Sequence, residues 1–234
     1  MKILLILICG FFIFSNKANA APLFGKTIII DAGHGEFDPG KVARRNTLEK
    51  DINLKIALKL QEILEINGAY VLMMRNEDKA LGTTKDSDMA GRRHLANISN
   101  ADMLISIHQN AFESSGPVGP MVFHYSEKSL DLAKSIQDSL NKHLQRSTGR
   151  APKQNKSYFI LRTTTLPAVL VECGFLTNSW DLDSLLQENY REKVAIAIYE
   201  GVLNFFSSSK SQEVWNIFKY KKPSELYADG FLLI

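Results

Sequence analysis

Residues 27–35 read T-I-I-I-D-A-G-H-G. Ile28, Ile29 and Ile30 form a β-branched run with no polar alternation, the pattern of a strand covered on both faces. The run closes at Asp31 and passes into a glycine-rich segment, so this strand delivers a loop, and the loop carries His34.

Downstream, Ile52, Ile56, Leu60, Ile63 and Leu64 recur at helical spacing between Asp51 and Asn67, and Gly68 is placed to stop that helix in a left-handed conformation. Ala69 to Met74 reads as the next strand, Asn76 to Asp88 as a polar loop, and Met89 to Ser99 as a short helix with mixed faces. Met103 to Ile107 returns to strand, and Ser114 to Pro117 marks a loop. Met121 to Tyr125 is a strand, and Leu130, Ala133, Ile136, Leu140 and Leu144 outline an amphipathic helix. After a polar loop from Ser147 to Lys156, Tyr158 to Leu161 and Ala168 to Glu172 read as two further strands, with Pro167 at the permitted first position of the second. Two helical stretches cover about Asp181 to Phe206. This alternation predicts a single α/β domain, its twisted sheet mainly parallel or mixed and flanked by helices on both faces.

The flanks read differently. Lys2 followed by the apolar stretch Ile3 to Phe14, with Ala18-Asn19-Ala20 at the cleavage position, is the pattern of a secretory signal over residues 1–20. That stretch is shorter than the roughly 20 residues a membrane span needs, so no stable span is expected after processing. Cys9 raises a lipoprotein alternative, but Ile6 and Ile8 stand where small residues are wanted. Without the signal only Cys173 remains, and an intramolecular disulfide is excluded. Loss of Lys2 and Lys17 leaves 26 basic against 25 acidic residues, or +1, which offers nucleic acid no electrostatic footprint. Residues 207–234, beginning at a Ser-Ser-Ser-Lys-Ser break and holding Trp215, Ile217, Phe218 and Tyr220, read as an extension packed on the domain or on a partner.

The polar residues of interest stand where strands meet loops. His34 follows the first strand, His108 follows Met103 to Ile107, Glu172 closes Ala168 to Val171, and Glu49 precedes the first helix. In open α/β sheets the functional crevice lies at the carboxyl ends of the strands, which predicts their convergence. Two imidazoles and one carboxylate suffice for a catalytic zinc with an open position for water, and His34, Glu49 and His108 make that set for one ion. Glu172 is then a spare carboxylate, suited to take a proton from attacking water and return it to a leaving amine. Blander roles compete: a satisfied polar histidine for His34 or His108, and a dipole-favoured acid at a helix start for Glu49. His94, His124 and His143 are read as structural, and the spacing of Gly33, Gly35 and Gly40 matches no nucleotide-binding fingerprint.

Four segments taken in order, I-D-A-G-H-G (Ile30 to Gly35), L-E-K-D (Leu48 to Asp51), S-I-H-Q-N-A (Ser106 to Ala111) and P-A-V-L-V-E-C-G-F-L-T-N (Pro167 to Asn178), resemble the zinc-dependent N-acetylmuramoyl-L-alanine amidases. The resemblance covers roughly Lys26 to Phe206, within which residues 26–206 are expected to be the catalytic domain. It implies zinc on His34, Glu49 and His108, Glu172 as the catalytic glutamate, and peptidoglycan as substrate. Arg75 and either Arg92 or Arg93 stand where the family carries arginines, and two roles stay open for them: binding stem-peptide carboxylates or bracing the sheet edge. Ala32 replaces a frequent Pro and Glu36 a frequent Gly, without removing a ligand. The short stretch between His108 and Met121 leaves no room for the plug helix of some relatives. A short, signal-bearing form resembles the germination-related branch acting on spore cortex, with a vegetative wall amidase or a non-catalytic wall-binding protein as alternatives. An exported enzyme at the wall or cortex, with an activating or targeting protein as a further partner, is the expectation that results.

Overall fold

Ile28, Ile29 and Ile30 are buried to within 2% of their surface, as a two-sided strand requires. A computed structural model of the chain describes residues 21–144 and 149–220, with side chains through 208. The expected signal at 1–20 and the end of the extension at 221–234 lie outside the described residues, as do positions 147–148 of the polar loop.

The elements are β1 (Thr27–Ala32), α1 (Glu49–Ile66), β2 (Tyr70–Met73), α2 (Lys85–Ile98), β3 (Met103–Asn110), β4 (Met121–His124), α3 (Leu130–His143), β5 (Lys153–Gln154), α4 (Phe159–Thr163), β6 (Ala168–Phe175), α5 (Ser179–Leu185) and α6 (Glu188–Tyr220). Among the described residues the six strands make one sheet in the order β2-β1-β3-β6-β4-β5. The first four are mutually parallel, β4 runs antiparallel to β6, and β5 is parallel to β4. The α/β reading with a mainly parallel, mixed sheet is thus the observed fold.

Strand alternation divides the core into two layers. Ile28, Ile30, Met103, Ile105, Ile107, Val169 and Val171 point to one side, where they pack with α1, α3, α5 and α6. Ile29, Leu104, Ala168 and Leu170 point to the other, under Ala96 of α2 and Ile160 and Leu161 of α4. Each Val, Leu, Ile or Met side chain among them contributes about 1.5–3 kcal/mol by burial, so both layers hold the sheet. The second layer matters most for chemistry, because Ser106, His108 and Glu172 share the parity of Leu104 and Leu170.

Several boundaries differ from the sequence reading. Tyr158 to Leu161 is not a strand: Phe159–Thr163 is the short helix α4. Asn155 Oδ1 accepts from the backbone N–H groups of Ser157 and Tyr158 at 2.7 and 3.2 Å, turning the chain. Ile160 and Leu161 both pack into the second core layer, which a helical turn permits and the alternation of a strand does not. The adjacent polar loop instead supplies β5, paired by register to Phe123 and His124. α2 starts at Lys85, four residues before the apolar pattern, because Thr84 and Ser87 form a reciprocal capping box. α1 ends as expected, with Gly68 at φ +90°. α6 passes through the serine-rich segment without interruption and reaches Tyr220.

Candidate metal centre and hydrolytic site

Beyond β1 the chain enters a conformation that few residues adopt freely: His34 has φ +62° and Glu36 φ +49°. Two buried arginines hold it there. Arg75 donates from Nε to Ala32 O at 2.7 Å and from Nη2 to Gly33 O at 3.0 Å and Lys50 O at 2.8 Å. Arg92 donates from Nη2 to His34 O at 2.7 Å and from Nη1 to Ala32 O at 3.0 Å. Its charge is balanced by Asp31 at 2.5 Å and Asp88 at 2.8 Å, and Ser106 Oγ donates to Asp31 at 2.7 Å. Of the two roles open to the arginines, Arg75 and Arg92 therefore serve as braces. Arg93 is not part of this network; it lies over the ring of Phe159.

His34, Glu49 and His108 converge, with one ligand atom from each lying within 4.8 Å of the others. Glu49 Oε1 is 3.2 Å from His34 Nε2 and 3.1 Å from His108 Nδ1. Glu49 comes from the first residue of α1, where its other oxygen accepts from Lys41 N at 2.9 Å. Its Oε1 also accepts from Gln109 N at 3.0 Å. Burial works against ionisation of Glu49, but hydrogen bonds from His108 and His34 outweigh it and hold the carboxyl well below the usual carboxylate range. The helix-start position and the carboxylate of the candidate donor set coincide in this residue.

The donor chemistry fits a cation. His34 Nδ1 faces Asp38 Oδ2 at 2.9 Å. With the Nδ1 proton on that bond, the Nε2 lone pair of a neutral ring is aimed at an anionic oxygen of Glu49, a repulsive pairing unless a proton or a positive ion lies between. Burial lowers the His34 pKa, while Glu49 and Asp38 raise it more, giving a net upward shift. A carboxylate behind a histidine is the arrangement that orients metal-binding imidazoles. Space is equally restrictive: a Cβ on Gly33 would fall 2.2 Å from the His108 ring, so only glycine lets the two loops approach this closely.

Glu172 sits on β6 directly across from His108 on β3. Tyr158 Oη donates to its Oε1 at 3.1 Å, and Oε2 is buried with no hydrogen-bond partner among the described residues. Burial pushes the Glu172 carboxyl up to about 7; the neighbouring Glu49 adds to that, and His108 and Tyr158 partly offset it. A buried carboxylate with one oxygen free is costly to fold around, and it is what a proton acceptor for water requires. The cleft beside it is lined by His34, Asp38, Lys85, Met89, His108, Tyr158 and Phe159.

All four residues singled out from the sequence thus meet at one place. His124 and His143 do not join them: the former faces Ser126 O and the latter Glu200 Oε2. Sequence reasoning missed Asp38 and Tyr158. Asp38, four residues after His34 in a loop, had a weak signal in that spacing, whereas Tyr158 was hidden by the strand assignment.

Residues 28–204 match the family model described as N-acetylmuramoyl-L-alanine amidase. The germination-specific N-acetylmuramoyl-L-alanine amidase of Bacillus subtilis is 36% identical over 208 residues, covering 83% of this chain and 87% of that protein. The probable cell wall amidase LytH of Staphylococcus epidermidis is 34% identical over 82% of this chain, which spans 62% of that longer protein. The CwlD amidase from Clostridioides difficile, solved in complex with the GerS lipoprotein, superposes with a TM-score of 0.75 at 38% identity, covering 78% of this chain and 99% of that one.

Proposed function

This chain belongs to the N-acetylmuramoyl-L-alanine amidase family and is a cell-wall amidase, and we propose that it works as an exported zinc enzyme on spore cortex. The proposed metal ligands are His34, Glu49 and His108, and the proposed general base and acid is Glu172. The observation that carries this reading is the convergence of two imidazole nitrogens on one Glu49 oxygen beside a buried carboxylate with a free oxygen.

When bound, zinc supplies Lewis acidity: it polarises a carbonyl and makes water a nucleophile near neutral pH. Its identity rests on the nitrogen-rich, three-ligand donor set, which leaves a fourth position open. The rest of the mechanism belongs to the chain. Asp38 holds the imidazole of His34, and the Arg75 and Arg92 donors hold the carbonyls on either side of it. Tyr158 fixes one oxygen of Glu172, so the other accepts the proton lost as water attacks the amide carbonyl. Glu172 then returns that proton to the nitrogen of the departing L-alanine, and the bond between the muramic acid lactyl carbonyl and that nitrogen breaks.

The cortex assignment rests on likeness to the germination-specific enzyme of B. subtilis, which this chain matches over most of both lengths. Export rests on the signal pattern at 1–20 and on the position of peptidoglycan outside the cytoplasm; among the described residues no helix is long and apolar enough to cross a membrane. A protein partner is proposed on the likeness to CwlD, whose solved complex contains the GerS lipoprotein. A vegetative role is the second reading, supported by the likeness to LytH.

Digestion of purified cortex and vegetative wall separates these outcomes. New alanine amino termini, released faster from cortex, are expected. Equal or greater release from vegetative wall overturns the cortex assignment, and new reducing ends without amino termini overturn the amidase reading. Metal analysis of the purified protein, with one zinc per chain expected, checks the cofactor.

A further inference from the structure

We propose that Arg93 and Arg162 form a carboxylate-binding arm at the rim of the catalytic cleft, taking an acidic group on the peptide portion of the substrate. The proposal rests on the amidase reading of the cleft and extends it to the recognition of the peptide.

Phe159 connects the two arginines to the cleft, because it lines that cleft together with His34, His108 and Tyr158. Two guanidinium groups flank that single ring, Arg93 at 5.9 Å and Arg162 at 5.3 Å from its centroid. Contacts of this kind limit the swing of both arginines. The backbone beneath them is tied down as well. Asn97 Nδ2 donates to Thr163 O at 3.0 Å and its Oδ1 accepts from Thr165 N at 2.9 Å, fastening α2 to the end of α4. Arg93 lies one turn before Asn97, and Arg162 adjoins Thr163.

These arginines contrast with the braces. Arg75 and Arg92 are buried and spend their donors on backbone carbonyls and on Asp31 and Asp88. Arg93 and Arg162 are exposed, and among the described residues neither has a side-chain hydrogen bond or a carboxylate partner. Two like charges gathered at one aromatic ring repel each other unless an anion joins them. A guanidinium presents its donors in a planar fork that matches a carboxylate. The amide cleaved in this reaction joins a sugar acid to the amino end of a peptide, so the far end of an uncrosslinked, unamidated peptide offers a carboxylate.

The test uses two synthetic ligands, an N-acetylmuramoyl peptide ending in a free carboxylate and the same compound ending in a carboxamide. Binding is measured by calorimetry to the zinc-loaded full mature chain carrying Glu172→Gln, and turnover of both compounds by the wild type. The acid is expected to bind about tenfold more tightly than the amide, a difference of one charge-assisted contact. Arg93→Gln/Arg162→Gln should bind both compounds equally, at the level of the amide. Equal binding of acid and amide by the parent protein overturns the arm without any arginine variant, as does a preference that survives in the double variant. If the acid is preferred in binding and neither compound is cleaved by the wild type, the arm stands and the amidase reading fails. Cleavage of both compounds with no preference has the opposite meaning.

Discussion

Tyr158 donates its hydroxyl to Oε1 of Glu172 at 3.1 Å, while Oε2 of the same carboxylate is buried without a hydrogen-bond partner. The pair divides the work of one side chain: one oxygen is anchored and the other is left to act. Replacing Tyr158 with Phe removes the anchor and keeps the ring. A hydrogen bond to a charged group is worth about 1.5–3 kcal/mol, so kcat should fall about tenfold or more while KM changes little. Because Tyr158 favours the charged form of Glu172, the acidic limb of the rate profile should also move to higher pH. Unchanged kcat with a raised KM would place Tyr158 on the substrate instead.

Glu172→Gln keeps the shape of the side chain and removes the proton acceptor. Zinc content is expected to stay at the wild-type level and turnover to drop by about 10²-fold or more. Burial pushes this carboxyl up to about 7, and the proton acceptor works only when ionised. Wild-type turnover should therefore rise with pH through the neutral range, and that limb should be missing from any residual activity of the variant. Retained activity removes Glu172 from the reaction.

Asp38→Asn changes the group behind His34 without touching the proposed ligands. The ring loses an anionic partner for Nδ1, and metal affinity should weaken about 10–100-fold. Competition with a chelator of known affinity measures this directly. Equal affinity would mean that the backbone alone orients His34.

Gly33→Ala is a steric test of the same site. The added methyl would fall 2.2 Å from the His108 ring, so that ring must move or the strand must shift. The expected result is loss of metal and activity together, with the secondary structure retained by circular dichroism. Full zinc occupancy in this variant would show that the loops have more room than their geometry indicates.

Arg92→Leu should cost about 3–5 kcal/mol, because it leaves Asp31 buried without its counter-charge. Burial by itself raises the Asp31 pKa, but Arg92, His108 and the Ser106 hydrogen bond together outweigh it, and the net shift in the native protein is downward. Asp31 thus contributes stability that is fully present above the unfolded value of about 3.9 and is lost as pH falls through the lower folded value. In the variant the same carboxyl is raised, so its effect reverses, and mild acid should narrow the gap to wild type. Urea denaturation between neutral pH and about pH 4 checks both signs.

Much of this protein is legible in its sequence. The Ile28 to Ile30 run, the periodic Ile52 to Leu64 stretch and the apolar Ala168 to Val171 segment each specify their own element, because burial on two faces or on one helical stripe is a local property of composition. The four chemical residues were visible for a related reason: each is a polar residue next to the end of an apolar run. Tyr158 to Leu161 was misread because a short apolar run has no period of its own. The Asn155 turn and the packing of both Ile160 and Leu161 into the second core layer made it a helix.

By itself, then, the chain's sequence determined a sheet of mainly parallel strands, a metal-type donor set and a family likeness resting on ordered motifs. Tertiary structure decided what each polar group does. Arg75 and Arg92 became braces and Arg93 a neighbour of Phe159, although the sequence shows three similar arginines. Asp38 turned to His34 and Tyr158 to Glu172 across contacts that no periodicity encodes. Hydrophobic patterning is read along the chain, whereas hydrogen bonds and charge pairing depend on distances between segments, and only the folded arrangement supplies those.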